Sequence, residues 1–119
     1  MWVYEQATGV LRDPKGDVLT KGYSGSPEGK NDPVKEHIPE VGPIPRGKWK
    51  ITALRLMTLH RGPYVLTLEP LGDTHGRSAF LIHGDSISKP GTASKGCIIL
   101  QRWAREAIWK SGDRDLEVV

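Results

Sequence analysis

A histidine that closes one short apolar run and a cysteine that opens another are the residues of this chain best suited to chemistry. They lie in Leu81-Ile82-His83-Gly84-Asp85-Ser86 and Thr92-Ala93-Ser94-Lys95-Gly96-Cys97-Ile98-Ile99-Leu100, with a loop rich in Gly, Ser and Lys between them. If the two apolar runs lie side by side as strands, the imidazole is set beside the sulfur, as a thiol nucleophile requires. The ring then accepts the thiol proton, and the imidazolium so formed stabilises the thiolate. Lys95 and Lys89 would add positive charge nearby. Gly96 has no Cβ and so lets a substrate carbonyl approach the backbone. The N–H groups of Gly96 and Cys97 are candidate donors to a tetrahedral oxyanion. Asp85 and Ser86 are candidates to orient His83.

Each of these residues also has a plainer reading. Free cysteine is among the most buried residue types, and Cys97 leads into Ile98-Ile99-Leu100, which reads as core. A lone His in an apolar strand is usually structural. The joint order of His-Gly, a Gly-rich gap and Ser-x-Gly-Cys tips the balance toward nucleophilic catalysis. A zinc centre is the mechanistic rival, because Asp73-Thr74-His75 and His83-Gly84-Asp85 supply two His and two Asp. No His-Glu-x-x-His helix or paired Cys motif accompanies them. A third reading is a non-catalytic wall-binding module in which Trp2, Trp49, Trp103 or Trp109 stacks on sugars. Trp49 and Trp103 fall on apolar faces and are expected in the core, whereas Trp109 falls on a charged face and is the best candidate for an exposed ring. His37 and His60 receive no role.

The elements that must hold these residues are mostly strands. Val10 to Tyr23 reads as a hairpin turning at Asp13-Pro14-Lys15-Gly16-Asp17. Ser24 to Pro45 is a loop of about twenty residues, a length that in a small domain marks function or mobility. It is a candidate lid over a bound acyl chain, and the charges from Glu28 to Glu40 alternate in sign as on a solvated surface. From Gly47, Trp49, Ile51 and Ala53 alternate with Lys48, Lys50 and Thr52, the period of a half-buried strand. Tyr64-Val65-Leu66-Thr67-Leu68 forms a second strand, ended by Pro70 and Gly72. Phe80 to His83 and Cys97 to Leu100 form two more. One helix is expected, with Leu100, Trp103, Ala104, Ala107 and Ile108 on its apolar face and Arg102, Arg105, Glu106 and Lys110 opposite. Gly112 is placed to end it, and Leu116 to Val119 reads as an added edge strand. The expected fold is a single mainly β domain over residues 1–119, sandwich- or barrel-like, with one packed C-terminal helix.

Bulk composition narrows the function classes further. The chain has 119 residues, with 14 Gly and 9 Pro, which suits a turn-rich β domain. Its 17 basic and 14 acidic residues leave a net charge of +3. No Lys/Arg run with interleaved aromatics marks a nucleic-acid footprint. A mildly basic surface suits an anionic polymer. The one cysteine excludes an intramolecular disulfide. No stretch approaches the ~20 apolar residues of a membrane span, and no charged n-region with an apolar h-region marks a signal peptide.

His83-Gly84 followed by Ser94-Lys95-Gly96-Cys97-Ile98 resembles the active-site signature of the L,D-transpeptidase (YkuD-type) catalytic domain. Gly42-Pro43-Ile44-Pro45-Arg46-Gly47-Lys48-Trp49 is similar to that family's Pro-x-Gly-x-aromatic segment, which leads into a core strand. The resemblance covers roughly the second half of the chain. It implies Cys97 as nucleophile and His83 as general base, with Ser94, Gly96 and Asp85 supporting and Gly84, Ser86 and Lys95 on the substrate side. It implies no metal or organic cofactor. The implied substrate is the peptidoglycan tetrapeptide stem, cut between the L-centre of meso-diaminopimelate and D-alanine. The acyl group would pass to water, a D-amino acid or a second stem.

Lys95 stands where the family commonly has a second His, and Ile99 where it commonly has Asn or Arg. The loop from His83 to Ser94 is also short. These departures resemble a divergent branch of toxic effectors delivered by type VI secretion, as do Trp2-Val3-Tyr4-Glu5-Gln6 and Gly22-Tyr23-Ser24-Gly25. That branch implies secretion machinery and an immunity protein as partners. The protein would be made in the cytoplasm without a signal peptide and act in the periplasm of a target cell. A phage-encoded lysis or tail protein fits the same features.

Overall fold

A computed structural model describes residues 1–119. The chain is mainly β, with one helix packed on a strongly curved sheet of nine strands. In chain order the strands are β1 (Trp2–Tyr4), β2 (Val10–Arg12), β3 (Val18–Lys21), β4 (Tyr23–Ser24), β5 (Gly47–Met57), β6 (Pro63–Pro70), β7 (Leu81–His83), β8 (Ile98–Ile99) and β9 (Asp115–Val118). Helix α1 (Arg102–Lys110) lies between β8 and β9. The spatial order is β3-β2-β1-β9-β5-β6-β7-β8-β4. Its two outermost strands, β3 and β4, are consecutive in the chain with only Gly22 between them, so the sheet bends nearly into a barrel. A Cβ at Gly22 would lie 2.0 Å from the Ile99 carbonyl oxygen, which is why glycine occupies this corner.

The expected hairpin forms as β2 and β3, antiparallel around a turn in which Asp13 accepts the N–H groups of Lys15 and Asp17. Alternation decides what each strand buries. Trp49 and Ile51 of β5, Leu66 and Leu68 of β6, Ile82 of β7, Ile98 of β8 and Leu116 and Val118 of β9 enter one core, where α1 adds Ala104 and Ile108. Trp49 and Phe80 meet edge to face at 5.0 Å between ring centroids. Trp2 is buried in the same core, so neither Trp2 nor Trp49 is free to stack on a sugar.

Three expectations change. β9 is not an edge strand: it runs parallel to β1 and antiparallel to β5, in the middle of the sheet. Trp103 is 51% exposed, whereas Arg105 is only 5% exposed, the reverse of the apolar and charged faces assigned to them. The reason is a backbone defect in β6. Tyr64 has φ 57, and the ladder pairs Arg55 with Val65 and Met57 with Pro63 but passes over Tyr64. The carbonyls of Pro63 and Tyr64 are taken instead by Arg105 Nη1, each at 2.8 Å. A guanidinium, not a hydrocarbon, therefore satisfies this part of the interface. Trp109 is partly buried against the core, with the Arg114 guanidinium 3.6 Å from its ring centroid.

Candidate active site

The two catalytic candidates are delivered by neighbouring parallel strands. β7 and β8 pair Ile82 with Ile98 and His83 with Ile99. Continued by one residue, that register sets Cys97 across from Leu81. Alternation then puts Cys97 on the sheet face shared by Leu81 and His83. Both side chains line one cavity of about 310 Å³, together with Arg61, Arg77, Phe80, Lys95 and other residues.

His83 is 3% exposed. Its Nδ1 lies 2.8 Å from the Gly84 carbonyl oxygen, an acceptor only, so Nδ1 carries the proton of the neutral ring. Nε2 keeps the lone pair and is buried without a partner in the chain. Burial pulls the imidazole below its ordinary range, and the charges of Arg61 and Arg105 push the same way against the Gly84 bond. Cys97 is half-buried, with Sγ 3.9 Å from the Ala79 carbonyl. Burial raises its thiol, while the Leu81 backbone N–H, Arg61 and Arg77 pull the other way. Burial thus disfavours the charged form of both groups. That arrangement suits proton transfer during attack better than a standing ion pair.

The turn before Cys97 is organised by Ser94, which is buried. Its hydroxyl donates to the Cys97 carbonyl at 2.6 Å and accepts the N–H groups of Gly96 and Gly25, both at 3.0 Å. The Gly96 N–H is therefore engaged and is not the free oxyanion donor that its sequence position suggests. The Cys97 N–H makes no hydrogen bond within the chain. The Gly96 carbonyl is held by Ser24 Oγ at 2.9 Å, and Ser24 Oγ in turn accepts the Ile44 N–H.

The other sequence candidates are placed as follows. Asp85 does not touch His83. It accepts the Tyr23 hydroxyl at 2.6 Å and the N–H groups of Ser86 and Gly91. Burial would raise its carboxyl, but those bonds outweigh burial and hold it below the ordinary range. The orienting partner of His83 is the Gly84 carbonyl instead, because a backbone acceptor one residue away is already in place. Ser86 accepts the Lys89 N–H and lines a larger cleft of about 940 Å³. His83, Arg61, Ala93 and Lys95 border both cavities. Lys95 is exposed. The cations that act on Cys97 are Arg61 and Arg77, not Lys95 and Lys89.

The proposed zinc constellation does not form. His75 contacts Glu36 and Asp73, His83 bonds to Gly84, and no group of three or more His, Cys, Asp or Glu side chains is gathered anywhere. Of the long loop, Pro39 and Glu40 border the cysteine cavity, whereas Ser26 and Ser24 tie its stem down through Val41 and Asn31.

Sequence reasoning gave Arg77 no role and noted Tyr23 only within the resembling Gly22-Tyr23-Ser24-Gly25 segment, with no part in the site. Tyr23 bonds Asp85 and also accepts the Ala93 N–H at 3.0 Å, closing the His83–Cys97 loop onto β4. Arg77 is buried and donates to the carbonyls of Glu36, Pro43, Gly42 and Lys95. It thereby links the Gly42-Pro43 segment to the turn before Cys97. Neither residue carries a local spacing signal, since their partners lie far away in the chain.

Residues 19–118 match the family model of the Tlde1 domain. No curated protein matches the chain. β1 and β2 precede the matched span yet are hydrogen-bonded into the same sheet. With 19–118 matched, the greater part of its length, the chain belongs to the Tlde1 domain family, a type VI effector-associated family of L,D-transpeptidase-like domains.

Proposed function

We propose that this protein is a cysteine-dependent acyl transferase and hydrolase acting on the peptide stems of peptidoglycan. The observation that carries the reading is a buried, unpartnered His83 Nε2 on the same cavity as the Cys97 thiol. His83 Nε2 takes the thiol proton as Sγ attacks the carbonyl that joins meso-diaminopimelate to D-alanine. The tetrahedral oxyanion is met by the Cys97 N–H. Collapse breaks the C–N bond, and the D-alanine amine leaves with the proton from His83. Water or the amine of a D-amino acid or second stem then attacks the thioester, giving its proton to His83, and Sγ departs as the thiol is restored. Water yields the trimmed tripeptide, and a D-amino acid yields an exchanged stem. No metal or organic cofactor enters these steps.

The proposal includes delivery by type VI secretion into the periplasm of a target cell and an immunity protein guarding the producer; of this, family membership supports the type VI effector association alone. No helix is long and apolar enough to cross a membrane. The test is mass spectrometry of muropeptides after incubation with the protein, with and without added D-methionine. Loss of D-alanine, or its replacement by D-methionine, is expected, and both should vanish in Cys97→Ala and in His83→Ala. Unchanged muropeptides with the folded wild-type protein, or full turnover in both variants, would reject the assignment.

A further inference from the structure

Arg77 is a buried cation with no carboxylate bonded to it. Its Nη1 donates to the carbonyls of Glu36 at 2.6 Å and Pro43 at 2.8 Å, and its Nη2 to those of Gly42 at 3.0 Å and Lys95 at 3.3 Å. All four acceptors are neutral. The Glu36 carboxylate is occupied elsewhere, by Arg46, Gln6 and His75. Arg77 therefore meets only main-chain oxygens at its Nη atoms, and its charge is offset only at longer range, by Glu36, a costly state for a group taken out of water. The side chain lines the cavity that holds Cys97 and packs under Gly96, where a Cβ would lie 2.3 Å from Nη2. Phe80 covers its other side at 5.2 Å from the ring centroid.

We propose that Arg77 is a positioning residue that pins the Gly96–Cys97 turn to the 36–43 loop and supplies the fixed positive charge against which negative charge on Cys97 develops. What the anion is used for rests on the acyl-transfer reading above; the charge relationship does not. The other charged or titratable groups on the cavity are His83, Arg61, Lys95 and Glu40. Arg61, Lys95 and Glu40 are exposed, so water and salt screen them, whereas the Arg77 guanidinium is enclosed and screened far less. The charge is unfavourable while the thiol is neutral. It becomes favourable in the thiolate and in the tetrahedral adduct.

The experiment is the pH dependence of Cys97 alkylation by iodoacetamide in the full chain, with thermal melts alongside. In Arg77→Gln the alkylation midpoint is expected to move up by about one pH unit, slowing alkylation near neutrality roughly tenfold. Arg77→Lys keeps the charge but cannot span four carbonyls, so it is expected to melt lower than wild type while keeping the midpoint close to it. A Gln profile that superimposes on wild type, or a Lys midpoint as high as that of Gln, overturns the proposal. If Arg77→Gln does not fold, wild-type protein decides by itself. An enclosed charge predicts a midpoint nearly unmoved between low salt and 1 M NaCl, and a midpoint that climbs with salt assigns the effect to the exposed Arg61 instead. Alkylation that behaves as expected in a protein releasing no D-alanine would reject the peptidoglycan reading and leave the Arg77 proposal standing.

Discussion

Ser94 Oγ stands 2.6 Å from the Cys97 carbonyl oxygen, and this single contact closes the turn that presents the Cys97 thiol. The same hydroxyl holds the Gly96 and Gly25 N–H groups, so one buried atom ties three backbone positions together. Ser94→Ala leaves two donors and an acceptor without it, and loss of a buried partner costs about 1–3 kcal/mol. We expect a lower melting temperature and at least a tenfold loss of kcat, roughly the effect of misplacing a reacting group by a fraction of an ångström. Activity equal to wild type in a protein that melts several degrees lower would separate the turn from the chemistry.

Burial of His83 and Cys97 sets the pH response. His83 is depressed from its ordinary value of 6.5 by burial, so the free base persists below that pH. The acid limb of kcat/KM is expected to have its midpoint below 6.5. The linked effect on stability has a definite sign. Below 6.5 the unfolded chain binds a proton that the folded site resists, so stability contributed by His83 is lost as pH falls from there toward the folded value. Cys97, raised by burial, gives the opposite arm: its contribution is lost as pH climbs from the ordinary thiol range to the folded value. Melting curves across pH for wild type and His83→Gln check the first arm, which should flatten in the variant.

Gly96 has φ 136, a region L-residues avoid, and its missing Cβ is the space that Arg77 fills. Gly96→Ala combines backbone strain with a guanidinium clash and should cost at least about 2 kcal/mol. The two residues touch, so their effects should not add. Combining Gly96→Ala with Arg77→Lys is expected to cost less than the sum of the single changes, read by denaturant midpoints. Simple additivity would deny the contact.

Tyr23 is pushed up to about 12 by burial and by the Asp85 carboxylate it donates to. Tyr23→Phe removes that bond and the anchor for the Ala93 N–H, at a cost of about 1 kcal/mol in this half-buried place. Amide exchange at Gly91 and Ala93 should quicken, and KM should rise several-fold with kcat little changed. Because Asp85 does not touch His83, Asp85→Asn should follow the same pattern. A collapse of kcat in Asp85→Asn would restore the role in orienting the imidazole that its sequence position suggests.

The strands that carry His83 and Cys97 were legible because their signals are local: apolar triplets, bounding glycines and a turn chemistry that only a few residues provide. The hairpin at Asp13 and the helix stop at Gly112 were readable for the same reason. Placement was not. Nothing near Leu116 announces that its neighbours are Trp2 and Trp49, residues from far earlier in the chain. Helical periodicity located a buried stripe on α1 but assumed that the surface facing it was hydrocarbon. The skipped Tyr64 offers carbonyls there, so Arg105 goes in and Trp103 stays out. Arg77 was invisible for a related reason, because its partners are main-chain oxygens, which every residue possesses.

The central position of β9 bears on truncation. Residues 115–118 lie far from Trp2–Tyr4 in the chain, yet they bridge the β1 and β5 ladders on either side. Without them the polypeptide has two half-sheets and no strand to join them. A chain cut before Asp115 cannot settle into its final curvature, so the hollow that holds Cys97 depends on four residues that do not border it.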